Sequence, residues 1–100
     1  KVIAEENYVD IKCIDKAGKK IFFELKTAQT VKAAIREAIG QLLEYNHYPN
    51  TSKADKLIIV TKYEPEPEDI QYLTGLRLIY KIPVYYQYFD MEKKELSKEY

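Results

Sequence analysis

The chain has 100 residues, with 16 basic and 16 acidic side chains, 46% apolar and 32% charged residues, and a single cysteine, Cys13. That length supports one domain with one modest core. Its longest apolar run, Leu57–Val60, is far short of the ~20 residues that cross a bilayer, so no membrane partner is expected. A lone cysteine excludes an internal disulfide and a cysteine-rich zinc site, and points to a reducing, cytoplasmic compartment.

The chain starts at Lys1, with no secretory signal pattern after it, and is expected to be part of a longer protein, residues 1–100 forming one domain. Residues 1–7 read as an N-terminal extension, or as a short strand over VIA. Strands are expected from Tyr8 to Asp15 and from Ile21 to Thr27, joined through KAGKK, because β-branched and aromatic residues dominate and Gly18 supplies a turn. Thr30 is the N-cap of a helix reaching about Tyr45 or Asn46, with Val31, Ile35, Ala38, Leu42 and Tyr45 as its core face. Gly40 inside that helix hints at close packing.

KLIIVTK is apolar on both faces and reads as a central parallel strand. Pro67 and the acids around it start a second helix running to Tyr80, with Ile70, Leu73, Leu76 and Tyr80 as its stripe. PVYYQYF is the last strand, and residues 91–100 read as a frayed or helical polar tail. The expected fold is an α/β layered domain, a mixed sheet flanked by helices in the order β-β-α-β-α-β.

Hairpin register decides which residues of IFFELKT share a face. A two-residue turn at Ala17 and Gly18 sets Asp10 opposite Leu25 and mixes charge with apolar groups on both faces. A three-residue turn, Lys16 to Gly18, with Gly18 left-handed, sets Val9 opposite Leu25, Ile11 opposite Phe23 and Cys13 opposite Ile21. One face is then wholly apolar. Burying a large apolar side chain stabilises by about 1.5–3 kcal/mol, which favours the second register and makes Ile21, Phe23 and Leu25 core, with Cys13 inert among them.

On the other face Asp10 then lies opposite Glu24, and Lys26 lies opposite Tyr8. Facing carboxylates repel unless solvent or a cation separates them. Hard carboxylate and carbonyl oxygens suit Mg²⁺ or Mn²⁺, which polarises a phosphoryl oxygen, while a neighbouring lysine orients or activates water.

Asp10 followed by Glu24, Leu25 and Lys26 resembles the acid, then acid-x-Lys, signature of the PD-(D/E)XK nuclease superfamily. Gln41 to Tyr45, QLLEY, is similar to the QxxxY element of its RecB-like branch. The resemblance implies a restriction endonuclease-like fold and a Mg²⁺-dependent deoxyribonuclease of restriction or repair type. It assigns metal binding to Asp10, Glu24 and the Leu25 carbonyl, water activation to Lys26, and support to Gln41 and Tyr45. Val9 stands where the family name has proline, and the family's helix before the hairpin is absent from the chain, so preceding sequence or a second subunit of a homodimer is expected to complete the site.

Lys32 and Arg36, one helical turn apart, are candidate DNA phosphate contacts, with ordinary solvated charge as the plain alternative. From Lys12 to Arg36 seven basic residues stand with only Asp15 and Glu24, whereas Glu64, Glu66, Glu68 and Asp69 cluster later. His47 reads as a loop residue. Tyr85, Tyr86 and Tyr88 read as strand packing. The alternatives to a nuclease are a nuclease-like module that holds DNA or a protein partner without cutting, and an interaction domain whose polar face is only solvated.

Overall fold

The computed structural model describes residues 2–6, 9–51 and 53–100, and the side chains of this set from residue 11 onward. Strand β2 (Val9–Ile14) runs antiparallel to both of its neighbours, β1 (Val2–Glu6) and β3 (Lys20–Leu25). Helix α1 (Val31–His47) leads to β4 (Lys56–Thr61), and α2 (Pro67–Tyr80) leads to β5 (Val84–Asp90) and the two-residue β6 (Glu95–Leu96). β3, β4 and β5 are parallel, β6 is antiparallel to β5, and the strands follow their chain order across the sheet. This is a small α/β domain with a mixed sheet and two helices.

The β2–β3 hairpin has the three-residue turn. Ile11 pairs with Phe23 and Cys13 with Ile21, and Gly18 has φ +82°, a backbone region that glycine enters without steric cost. The Asp15 carboxylate accepts from the Ala17 and Lys19 N–H groups, each at 2.9 Å, and closes the turn from within.

The buried face is the opposite of the one expected. Phe22 is 1% exposed and Glu24 3%, whereas Ile21 and Phe23 are half-buried and Leu25 is 56% exposed. Cys13, on the same side as Ile21, is half-buried. The cause is topological. Two successive crossovers of one hand, stepping to the next strand in the same direction, put both helices on the same side of the sheet. That side carries Phe22, Leu57, Ile59, Val84 and Tyr86, which form one core with Val31, Ala34, Ile35, Ala38, Leu42 and Tyr45 of α1 and Leu73 and Leu76 of α2. Burial energy fixed the register, because pairing moves both faces together. Connectivity then chose which face was covered.

Helix α1 starts where expected, with the Thr30 hydroxyl accepting from Ala33 N–H at 3.0 Å, which satisfies one of the donors a helix start leaves open. It ends at His47, which is therefore helical and exposed, not a loop residue. A Cβ built at Gly40 meets nothing within 4 Å, so close packing does not explain that glycine. In α2, Leu73 and Leu76 are buried and Ile70 half-buried, but Tyr80 is exposed: the left-handed Lys81 (φ 57°) ends the helix there. β4 lies centrally, and its apolar run is buried on both faces.

The tail is neither frayed nor helical. Asp90 caps the turn after β5 by accepting from the Glu92 and Lys93 N–H groups. The chain then returns beside β5, where Tyr86 and Tyr100 exchange backbone hydrogen bonds of 3.1 and 2.8 Å. An edge strand offers its backbone groups to any extended segment, and few apolar side chains are needed for that pairing.

Among the described residues no helix is long and apolar enough to cross a membrane.

Candidate functional site

The expected site residues fall on three elements, with Lys26 one residue past the end of β3. Asp10 lies in β2, and its side chain is outside the described residues. Glu24 sits near the carboxyl end of β3, facing α1, and is buried. Tyr45, in the last turns of α1, donates its hydroxyl to Glu24 Oε1 at 2.6 Å. Its ring meets Phe22 edge-on at 5.6 Å between centroids. A phenol bonded to a buried carboxylate fixes the rotamers of both groups and compensates part of the cost of burying the charge.

Gln41 lies one turn earlier on the same face of α1, and its buried Oε1 has no hydrogen-bond partner among the described residues. Leaving a buried amide oxygen without a donor costs about 1–3 kcal/mol. Such a group calls for an explanation, and an unfilled role at a site is one. Glu24 and Tyr45, read from the sequence on separate elements, are therefore brought together, with Gln41 one turn from Tyr45 on the same helix.

Lys26 is arranged differently. Its backbone N–H continues the parallel ladder to the Val60 carbonyl at 2.9 Å, and its half-buried side chain lines a pocket with Leu25, Thr27, Val60, Thr61, Lys62, Tyr63 and Phe89. Among the described residues no ion pair joins it to Glu24. Lys32 and Arg36 are exposed. At about 100° per residue, the nine positions from Arg36 to Tyr45 place them on opposite sides of α1, so neither basic residue is brought to Glu24.

Lys12 was missed. It pairs with Phe22 across β2 and β3, is 8% exposed, and holds its ammonium 5.2 Å from the Phe22 ring centroid. It therefore shares the covered face with Glu24. The signal was the hairpin register, which sets Lys12 opposite Phe22 and so on one face with it. Also missed was the tyrosine cluster at the carboxyl end of β4. There the Tyr86 hydroxyl bonds Thr61 and donates to the Tyr63 carbonyl at 2.7 Å. Burial pushes the Tyr86 phenol above its ordinary 10, the bond to Thr61 opposes this, and the charges of Asp69 and Tyr63 add to the rise.

Among the described residues no three His, Cys, Asp or Glu side chains gather as a metal-holding group. The donors present are oxygens: a buried carboxylate held by a phenol, and an amide oxygen without a donor. That chemistry fits a hard divalent cation.

No family model, curated protein or solved structure matches the chain.

Proposed function

We propose that this domain is a metal-dependent nuclease that hydrolyses phosphodiester bonds in DNA. The observation supporting it is the bond from Tyr45 to the buried Glu24, with the orphaned Gln41 oxygen one helical turn away. The bond joins two elements that were matched to the nuclease pattern independently, one on a strand and one on a helix.

In this reading Asp10, Glu24 and the Leu25 carbonyl hold Mg²⁺ or Mn²⁺. The bound ion supplies Lewis-acid polarisation of a phosphoryl oxygen and a lowered pKa of water. Tyr45 holds the Glu24 carboxylate in one orientation, so that little reorganisation is needed when charge develops nearby. Gln41 orients water or a phosphate oxygen through its amide. Lys26, at the open carboxyl edge of the parallel strands, offsets the negative charge of the reacting phosphate or orients the attacking water. The restriction endonuclease-like fold, a DNA partner and a cytoplasmic location belong to the same proposal.

Incubation with supercoiled plasmid, with and without Mg²⁺, tests it. The expected result is metal-dependent nicking that Glu24→Gln and Lys26→Ala each abolish while far-UV circular dichroism stays unchanged. Binding without nicking identifies a module that holds DNA without cutting. Absence of both, in the full-length protein as well, overturns the nucleic-acid reading.

A further inference from the structure

The parallel register Leu25↔Val60↔Gln87 aligns the carboxyl ends of β3, β4 and β5 along one edge of the sheet. The crevice outside such ends is where open α/β sheets bind ligands. Here the edge holds a pocket of about 400 Å³ lined by Leu25, Lys26, Thr27, Val60, Thr61, Lys62, Tyr63 and Phe89. Leu25 and Val60 carry it onto the helix-free face, away from the Tyr45–Glu24 bond.

Its chemistry is specific in sign and shape. Two lysines line it and no acid does. Of the closest acids in sequence, Asp90 caps the turn after β5, Glu24 is buried beneath α1, and Glu64 is solvent-exposed. The remaining walls are aliphatic and aromatic. The Lys62 ammonium lies 5.5 Å from the Tyr63 ring centroid, so a cation and a π-face already stand together. An apolar, aromatic-lined cavity with cations beside it fits an anion that carries a flat ring. The volume, near the lower end of the 300–1,000 Å³ typical of small-ligand sites, has room for one nucleotide.

We propose that this pocket takes one unstacked nucleotide of a DNA strand, its base against Tyr63 and Phe89 and its phosphate between Lys26 and Lys62. The choice of DNA rests on the nuclease reading above. The site itself stands on the pocket's walls and charge. Base stacking on aromatics tolerates any sequence, and the lysines track the backbone, so the pocket grips a strand without reading it. Lys26 then joins the two features, lying one residue past β3 and two after Glu24.

Binding of a short fluorescein-labelled single-stranded oligodeoxynucleotide, read by fluorescence anisotropy in EDTA over a range of salt concentrations, separates this inference from cleavage. Tyr63→Ala and Phe89→Ala are each expected to weaken binding about tenfold. Lys62 is exposed, so Lys62→Ala leaves the fold intact, and it is expected to lower the slope of log K against log salt by about 0.7. Lys16→Ala, in the turn preceding the amino end of β3, is expected to leave both quantities unchanged. Absence of oligonucleotide binding overturns the inference, as does an unchanged slope in Lys62→Ala or an equal loss in Lys16→Ala. Pocket-dependent binding without plasmid nicking keeps the pocket and removes the nuclease. Nicking with pocket variants that bind like the parent does the reverse.

Discussion

The Tyr45 hydroxyl donates to Glu24 Oε1 at 2.6 Å across the contact between α1 and β3, where both residues are more than nine-tenths buried. A hydrogen bond to a charged group contributes about 1.5–3 kcal/mol, so Tyr45→Phe is expected to lower stability by that amount. For a domain of this size the melting temperature falls by at least about 6 °C. If Glu24 holds a metal ion, the loosened carboxylate also slows nicking about tenfold or more. Tyr48→Phe, at an exposed position just past α1, is the control and changes neither quantity. Thermal melts and plasmid nicking of the two variants check both parts.

Two lysines near Glu24 are expected to separate stability from chemistry. Lys12 is buried with its stem beside the Phe22 ring, so Lys12→Ala removes packed methylenes along with the charge and costs about 2–3 kcal/mol. Lys26 is half-buried at the pocket, and Lys26→Ala is expected to cost under about 1 kcal/mol while abolishing nicking. Urea unfolding of both variants decides it. Equal stability losses contradict the different settings of the two side chains.

Much of the fold was legible because local signals agreed with one another. The Thr30 cap, the Pro67 start and the apolar stripe of α1 each named a boundary or a face on their own. The hairpin register was legible too, since only one pairing separated apolar from charged positions. What eluded the sequence was which face the helices cover, because that is set by strand order and crossover hand, properties no single segment carries. Leu25 and Glu24 consequently exchanged their expected burial. The return of the tail was hidden for a related reason: residues 95–100 are held by backbone hydrogen bonds to β5, which leave no hydrophobic pattern. That Gln41 and Tyr45 share one face of α1 followed from their spacing, whereas the burial of Lys12 did not show in its local pattern.

Tyr86 makes stability depend on alkaline pH. Its phenol is raised above the ordinary 10, chiefly by burial. In the unfolded chain it titrates near 10. A raised native value means that the folded state holds the proton more tightly, so this contribution is fully present below about pH 10 and is lost as pH rises through the native value. Tyr86→Phe removes the bonds to Thr61 and the Tyr63 carbonyl and is expected to cost about 1–2 kcal/mol at neutral pH. The gap between parent and variant, measured by urea unfolding at steps from neutral to strongly alkaline pH, should stay constant to about pH 10 and then close. A gap that widens above pH 10 contradicts the assignment.

The returning tail guards the β5 edge. Tyr86 N–H donates to the Tyr100 carbonyl, Ser97 N–H donates to the Tyr88 carbonyl at 2.8 Å, and Tyr88 N–H donates to Ser97 Oγ at 3.0 Å. The Tyr88 and Tyr100 rings stack at 6.5 Å, and Glu99 pairs with Lys56 of β4. Without these contacts β5 presents a tyrosine-rich edge with unpaired backbone groups, which is the usual template for strand-to-strand association. Deleting residues 95–100 is therefore expected to remove hydrogen-exchange protection at the Tyr86 and Tyr88 amides and to produce concentration-dependent oligomers on size exclusion. Tyr100→Ala, which keeps the backbone pairing and loses only the ring stack, is expected to cost about 1 kcal/mol and to leave the protein monodisperse. Retained protection at Tyr86 in the deletion variant shows that another segment has taken the edge.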